Sequence, residues 1–262
     1  EISCSLVGSE MCIRDRFAGV ITQFAWGGMY IMLYCTFMKN GNANTYTIPQ
    51  MCTYIWLHQA FFLLFNFVSV DKDILEMCKT GGVALELVKP IDLYYIWHAK
   101  TLGKKIAATS LRALPIFIIC TMPFLNQYKL TAPVNIGAFF LFVITLILSL
   151  GLIIAYVMLL YIIVMKTTTT QGIKLTFQLV MEFCTGGAIP IAFMPNYMIK
   201  ILKFTPFYYM ENVSFNIYNG YISNGAEIFK IILLQLFWLT ILTILGKKMM
   251  NKRLSKLIVQ GG

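Results

Sequence analysis

Residues 71–105 read DKDILEMCKTGGVALELVKPIDLYYIWHAKTLGKK, the only long charged segment in the interior of a mostly apolar sequence. The stretch carries six lysines and a Gly81-Gly82 pair, with apolar residues between the charges. An apolar stripe with charges on the opposite face is typical of a short helix lying at a membrane surface. The stretch therefore predicts a surface loop that contains a helix of its own.

The composition is that of a polytopic membrane protein. Of the 262 residues, 58% are hydrophobic and 12% are charged, and the mean hydropathy is +0.73, whereas soluble domains contain about 25% charged residues. A formal net charge of +10 would indicate nucleic-acid binding in a soluble protein. In a membrane protein the positions of the cations matter more than their sum, so we predict a lipid bilayer and no nucleic acid as partner.

The first sixteen residues, EISCSLVGSEMCIRDR, differ from the rest of the chain. They show no signal-peptide cleavage pattern, and residues 11–16 resemble the translation of a transposon-end sequencing adapter. The alternative is a genuine polar N-terminus. We expect residues 1–16 to be non-native, with the native N-terminus missing, residues 17–256 to form a single domain, and residues 257–262 to be a tail.

Six apolar segments are long enough to cross a bilayer as helices, which takes about 20 residues each. We predict an all-α protein with no second domain and no internal repeat. The six predicted transmembrane spans cover residues 17–38, 50–70, 106–125, 136–165, 172–194 and 227–246.

The distribution of basic residues predicts the orientation of these spans. Thirteen Lys and Arg residues fall in the 71–105 loop, around the turn after the fourth span and in the C-terminal tail, whereas five fall in the other connections. We therefore expect the 71–105 loop and both termini to be cytoplasmic, in a multi-pass protein of a bacterial cell membrane.

The fifth span, KLTFQLVMEFCTGGAIPIAFMP, is interrupted in its middle. Glycine permits strained backbone angles and proline removes a backbone donor, so Gly186, Gly187 and Pro190 predict a broken helix or re-entrant turn. A carboxylate at mid-membrane, such as Glu182, usually faces a partner or a water-filled cavity. Two interpretations stay open: the break and Glu182 line the outer half of a pathway, or the glycines permit close packing and Glu182 pairs with Arg112 or a tyrosine.

The remaining polar residues of the spans have ordinary explanations. Arg112 follows the loop lysines closely enough to extend toward the cytoplasmic face, and a role in a pathway is the alternative. His58 stands alone, and we interpret it as a buried, hydrogen-bonded histidine rather than a ligand. The cysteines after residue 16 are isolated and show no zinc signature, so no metal site is predicted.

The aromatic segment between the last two spans is predicted to lie at the outer interface. Residues 198–202 and 210–218 fit two short amphipathic helices separated by Pro206. They either cover the outer exit of a pathway or anchor the interface, and the two roles are compatible. We interpret the glycosylation sequon at Asn212 as a chance match.

The chain lacks the motifs of an enzyme that works alone. It contains no GxxxxGK[ST], so it cannot hold ATP phosphates with a P-loop, and it contains neither HExxH nor GxSxG. We therefore predict no catalytic residues and no cofactor in this chain.

Four local features, in order along the chain, resemble the membrane permease subunits of type-2 ABC exporters. Trp26 and Tyr30 resemble the first span of that family, and residues 73–90 resemble its first cytoplasmic loop. Residues 183–195 resemble a glycine-containing break before an outer proline, and residues 205–220 resemble the short outer helices before the last span.

The resemblance covers residues 17–253, and the adapter-like segment stands where the family has a membrane-parallel N-terminal helix. It implies that a coupling helix, over residues 73–86, docks on a separate ABC ATPase that binds ATP and Mg²⁺. It also implies that two permeases, identical or different, face each other and pass the substrate between them. The coupling residues that it implies are Asp73, Ile74, Glu76, Gly81, Gly82, Glu86, Lys89 and Pro90.

The sequence thus predicts the permease subunit of an ATP-driven exporter, and peptides, lipid-linked glycans, drugs and lipids all stay open as cargo. A secondary carrier or channel working alone is the alternative, but it would favour internal repeats and charges in several spans. An intramembrane enzyme would need paired catalytic groups, and the sequence around Glu182 shows no partner His or Asp.

Overall fold

The computed structural model describes residues 2–39, 46–66, 71–80, 82–83, 86, 90–167 and 170–255. Within these residues the chain is all-α, as predicted, and contains no strand. The α-helices are α1 (Ile2–Lys39), α2 (Ile48–Phe65), α3 (Lys72–Thr80), α4 (Leu93–Cys120), α5 (Ile136–Val164), α6 (Thr170–Thr185), α7 (Asn196–Lys203), α8 (Asn212–Tyr218) and α9 (Gly225–Leu254). Short 3-10 helices cover Pro123–Tyr128, Ile191–Phe193 and Pro206–Tyr209.

Several helices begin at polar residues that cap their free backbone N–H groups. Thr47 accepts a hydrogen bond from the Gln50 backbone while the Gln50 side chain accepts one from the Thr47 backbone, which makes a capping box before α2. Asp92 caps α4, Asn135 caps α5 and Asn224 caps α9. The starts of these four helices are therefore specified locally by the sequence.

Two helices of the described chain, α5 and α9, are long and apolar enough by length and composition to cross a membrane. They coincide with the predicted fourth and sixth spans, and α5 ends within one residue of its predicted boundary. The other four spans, and with them the six-span topology, stay predictions.

Helix α4 begins at Leu93, thirteen residues before the predicted third span. The added turns are stabilised by burial, because the Trp97 ring lies 5.8 Å from that of Tyr161 on α5. Tyr94 is also fully buried and packs against Gly246 on α9. The last third of the 71–105 stretch is therefore part of a long helix rather than a loop.

Helix α2 ends at Phe65, five residues before the predicted end of the second span. Asn66 has extended backbone angles, and the Lys105 ammonium donates to the carbonyls of Leu64 and Asn66, each at 2.9 Å. These contacts satisfy carbonyl groups that have no partner within the helix.

Helix α1 continues back to Ile2, through the segment that we expected to be non-native. Residues 2–39 therefore form one continuous helix. The adapter origin of residues 1–16 stays a prediction.

The long helix α5 forms the centre of the bundle and packs against α3, α4, α6, α8 and α9. Helix α2 packs mainly against α1 and α4. Gln235 on α9 donates to Ser149 on α5 at 3.1 Å and to the Tyr209 carbonyl at 2.9 Å, which joins three elements inside the bundle. We call the end that contains α3 and the start of α4 the loop end, and the opposite end, which contains α7 and the start of α9, the cap end.

Helix α8 is buried on all sides, contrary to the amphipathic interfacial helix predicted for residues 210–218. All of its residues, including Asn212 of the sequon, are at most 8% exposed. Its polar side chains have partners inside the bundle: Tyr46 donates to Asn216 at 2.7 Å, and Ser214 lies 3.1 Å from Ser149. Because these polar groups are satisfied by protein, the helix does not need water on one side.

Candidate functional site

Helix α3 carries the first of the predicted coupling residues and presents two different faces. Ile74 is fully buried and Cys78 is 7% exposed, whereas Asp73, Glu76 and Thr80 are exposed. This spacing of buried residues at i and i+4 is that of an amphipathic helix. Its apolar face packs against α5 of the same chain, and its charged face is accessible.

The start of α3 is tied to the rest of the bundle through Asp71. The Asp71 carboxylate accepts the backbone N–H of Asp73 at 3.0 Å and lies 3.2 Å from the Lys104 ammonium on α4. The backbone N–H of Asp71 donates to the Tyr161 hydroxyl on α5 at 3.2 Å. A displacement of α3 would therefore be transmitted to both α4 and α5.

The other predicted coupling residues differ in accessibility. Gly82 is half-buried, Pro90 is exposed, and Glu86 is buried, with its carboxylate 3.8 Å from the Lys100 ammonium. Gly81 and Lys89 lie outside the described residues. Helix α3 ends at Thr80, so the described helix is shorter than the rigid helix expected over residues 73–86.

The break after α6 is held by its own backbone and by α1. Gly186 has a φ of +91°, which favours glycine, and the N–H groups of Gly187 and Ala188 both donate to the Glu182 carbonyl, at 3.0 and 3.1 Å. The Tyr34 hydroxyl on α1 donates to the Ala188 carbonyl at 3.1 Å. The helix is thus interrupted where Gly186 and Gly187 predicted it. The re-entrant character of the break stays a prediction, because it depends on the membrane topology.

Pro190 is buried and precedes the 3-10 helix Ile191–Phe193, whose last N–H donates to the Pro190 carbonyl at 2.9 Å. The Phe193 ring stacks on that of Tyr34 at 5.2 Å. The irregular backbone after α6 is therefore partly buried against α1, although Ile189 is 43% exposed; such backbone is tolerated at membrane depth where protein or water covers it.

Glu182 lies in a cluster of ionisable side chains that the sequence did not predict. His58 on α2 pairs through Nδ1 with the carboxylate of Glu211, which is 1% exposed and immediately precedes α8. Thr185 donates to the other oxygen of Glu211 at 3.3 Å. A Cβ on Gly187 would lie 3.3 Å from the His58 ring and 3.6 Å from the Glu182 side chain, so this glycine lets the two approach each other.

A cavity of about 20 Å³ adjoins this cluster and is lined by His58, Glu182 and Glu211, with Asn66 and Gln178 at its edge. A cavity of this size has room for about one water molecule. One imidazolium can balance the charge of one of the two carboxylates.

Arg112 is part of a different environment. Its guanidinium packs on the backbone of α1, where a Cβ on Gly19 would lie 2.4 Å from Arg112 Nη2. No ion pair joins Glu182 and Arg112 within the described residues, whereas Tyr30 lies close enough to Glu182 to interact with it electrostatically. Of the two partners considered for Glu182, the structure brings the tyrosine near.

His58, Glu211 and Lys105 are the polar residues that sequence reasoning undervalued. A histidine inside an apolar span and a glutamate inside an aromatic segment were the available signals. His58 and Glu211 are 153 residues apart along the chain, so the sequence gave no reason to pair them.

Comparison with known proteins agrees with the resemblance found in the sequence. The family described as "ABC-2 family transporter protein" matches residues 24–261, which include both the α3 surface and the buried cluster. No curated protein and no solved structure gives a match. Because the match covers most of the chain, this protein belongs to the ABC-2 transporter family and is a membrane permease component.

Proposed function

We propose that this permease is half of the substrate pathway of an ATP-driven exporter and is driven by a separate ABC ATPase that contacts α3. The observation that supports this proposal most is the pairing of an accessible acidic face, Asp73 and Glu76, with a buried face that packs on α5. The family match supplies the context, because the sequence has no P-loop of its own.

The coupling step is mechanical. Since Asp71 contacts Lys104 and Tyr161, movement of α3 during ATP-driven closure of the partner would pull on α4 and α5 together. The partner would bind ATP and Mg²⁺. In this chain α3 would act as a lever, which we define as the helix that transmits the partner's movement to α4 and α5. Only exposed side chains such as Asp73, Glu76 and Pro90 would touch the ATPase, while Ile74 and Glu86 would hold the lever in place.

The pathway would run between two such permeases in the cell membrane, with both termini cytoplasmic. The break at Gly186, Gly187 and Pro190 and the carboxylate of Glu182 would line its outer half. A half-buried carboxylate beside a small cavity that His58 and Glu211 also line fits a hydrated route better than a lipid-facing surface.

The docking experiment compares charge reversal at two ends of the molecule. Permease and ATPase are coexpressed, the permease is purified, and the retained ATPase is quantified. We expect Glu76→Lys, and more strongly Asp73→Lys with Glu76→Lys, to release the ATPase while membrane insertion is unchanged. Glu227→Lys, an equal charge change on an exposed residue of the cap end, should retain it. Full ATPase retention in the Asp73 and Glu76 variants would refute docking on α3.

The pathway role of Glu182 has its own test. Glu182→Gln keeps the shape of the side chain and removes its charge, so we expect reduced transport with a normal yield of folded protein. Wild-type transport in this variant would show that Glu182 only packs within the bundle.

The alternative function is that of a secondary carrier. The cluster of His58, Glu182 and Glu211 supports it, since proton-coupled carriers use ionisable groups inside the membrane. Reconstitution distinguishes the two functions. An exporter permease in liposomes without an ATPase should move nothing against a gradient, whereas a carrier would transport substrate when only a proton gradient is applied.

A further inference from the structure

A two-lobed cleft opens at the cap end, away from both α3 and the buried cluster. One cavity has a volume of about 540 Å³ and the adjoining one about 430 Å³. Lys203, Tyr208 and Glu227 line both cavities, so the two form one continuous space. Each lobe falls in the range of small-molecule sites, about 300–1,000 Å³.

The larger lobe is polar and has a rigid base. Asn212 and Asn216 line it and are each 2% exposed, and Asn216 is fixed by Tyr46 at 2.7 Å and by Asn212 at 3.0 Å. Tyr221 covers Tyr46, with ring centroids 4.5 Å apart. Buried, hydrogen-bonded side chains of this kind hold a site in one geometry before a ligand arrives.

The smaller lobe is more apolar and follows α9 from Glu227 past Ile231 to Leu234. The eight residues from Glu227 to Leu234 span about 10 Å along a helix axis. The adjacent face of α9 exposes Phe229 and Leu233, and α9 is long and apolar enough to cross a membrane. The smaller lobe therefore leads from the polar end of the helix toward the depth expected for acyl chains.

Charges of both signs meet where the lobes join. The Lys203 ammonium lies 5.7 Å from the Tyr208 ring centroid, and Lys230 follows Glu227 by nearly one turn of α9. Burial, with smaller contributions from Tyr209 and Glu227, raises the pKa of Tyr208 to about 12. Its hydroxyl therefore stays protonated at neutral pH and can donate a hydrogen bond.

We propose that this cleft binds a zwitterionic phospholipid, with Lys203 and Lys230 at its phosphate and Glu227 with the Tyr208 and Tyr221 rings at its ammonium group. An ammonium ion is attracted both by a carboxylate and by aromatic faces, and a phosphate is attracted by lysine. The apolar lobe takes the first part of an acyl chain. A soluble ligand with the same two charges would leave that lobe empty.

This site is independent of the proposed coupling to an ATPase. None of its residues lies on α3 or in the His58 cluster, and lipid binding needs neither nucleotide nor partner. Failure of the ATPase experiment would leave this inference untouched, and the reverse is also true.

The test uses the full chain in nanodiscs and two photoactivatable lipids with identical chains, phosphatidylethanolamine and phosphatidylglycerol. Both carry a phosphate, but only the first carries an ammonium group. We expect phosphatidylethanolamine to label residues 225–234 about tenfold more efficiently, since one charge-assisted contact is worth about that factor. Soluble phosphoethanolamine should compete poorly, because it cannot fill the apolar lobe.

Four exposed residues provide the variants. Glu227→Gln should abolish the preference for phosphatidylethanolamine, and Lys203→Gln should weaken labelling by both lipids. Lys200→Gln, on the same last turn of α7 but outside the cleft, is the matched control and should label as wild type. If Lys203→Gln does not fold, Lys230→Gln tests the phosphate contact instead, and it should also weaken labelling by both lipids.

Several results would overturn the proposal. Equal labelling by the two lipids, or an unchanged preference in Glu227→Gln, would show that the cleft does not recognise the ammonium group. Preferential labelling by phosphatidylglycerol would mean that the cleft binds anionic lipid. Efficient competition by soluble phosphoethanolamine would mean that the acyl chain is not recognised.

Discussion

Helices α3 and α8 have nearly the same length, nine and seven residues, but they are held in different ways. Helix α3 buries Ile74 and Cys78 and exposes Asp73 and Glu76, whereas every residue of α8 is buried. The polar side chains of α8 are satisfied within the bundle, and the charges of α3 face outward. A partner protein can therefore reach α3, whereas the bundle covers α8.

The ion pairs near the two helices show the same contrast. Asp71 before α3 and His58 are similarly covered, at 11% and 12% exposed, but Lys104, the partner of Asp71, is 45% exposed, whereas Glu211, the partner of His58, is 1% exposed. Breaking a buried pair typically costs about 3–5 kcal/mol, but an exposed pair contributes about 0–1 kcal/mol. Substitutions around α8 should therefore lower stability, and substitutions around α3 should leave it nearly unchanged.

The largest effect is expected for His58→Leu. This change leaves the Glu211 carboxylate buried without its imidazole partner, so the free energy of unfolding should fall by about 3–5 kcal/mol. Unfolding in detergent, followed by circular dichroism or proteolysis, measures the loss.

The double variant His58→Leu with Glu211→Leu serves as the control for the pair. It removes both charges together, so it should be more stable than His58→Leu alone. If the two substitutions cost stability additively, the buried pair does not hold α8, and the contrast with α3 disappears.

Phe215→Ala tests the packing of α8 itself. The Phe215 ring is fully buried and lies 5.6 Å from the rings of Tyr54 and Phe65, so truncation should leave a cavity and cost about 3 kcal/mol. Phe204→Ala is the matched control, because Phe204 is 82% exposed. Similar losses in both variants would mean that α8 is not the packed centre of the cap end.

The sequence predicted those features that depend on local pattern. The start of α5 at Ile136, the break at Gly186 and the buried face of α3 all follow from residues within a few turns of each other. The family membership was also readable, because it rests on the order of such local features along the chain.

Features that depend on contacts between distant segments were not predicted. His58 and Glu211 meet only after α2 and the cap end have packed together, and α8 is buried because Tyr46 and Ser149 satisfy its polar residues. Lys104 and Lys105 were counted together as cytoplasmic cations, yet Lys105 is fully buried. Adjacent residues of a helix differ by about 100° in direction, which composition alone does not resolve.

Gly186→Ala should have an intermediate effect on the break that adjoins α8. An alanine at a φ of +91° is strained, and its Cβ would lie 2.9 Å from the Ile191 side chain, so we expect a loss of about 2 kcal/mol. Gly28→Ala is the control: Gly28 is helical, and a Cβ there meets nothing within 4 Å. Alanine at that position should stabilise α1 by up to about 1 kcal/mol. Equal behaviour of the two variants would show that the break does not require its backbone geometry.

The smallest effect on stability is expected for Lys104→Gln, at less than about 1 kcal/mol, since the Lys104 side chain is 45% exposed and solvent screens its pair with Asp71. The same substitution removes one of the two side-chain contacts that tie the start of α3 to the bundle, and the Asp71–Tyr161 contact remains. If α3 is a lever, ATPase binding should persist in this variant while ATP-driven transport declines, because the lever is loosened but its outer face is intact. A large loss of stability would instead mean that α3 is held as firmly as α8. The two ends of the molecule would then not differ in the way that their exposed and buried pairs indicate.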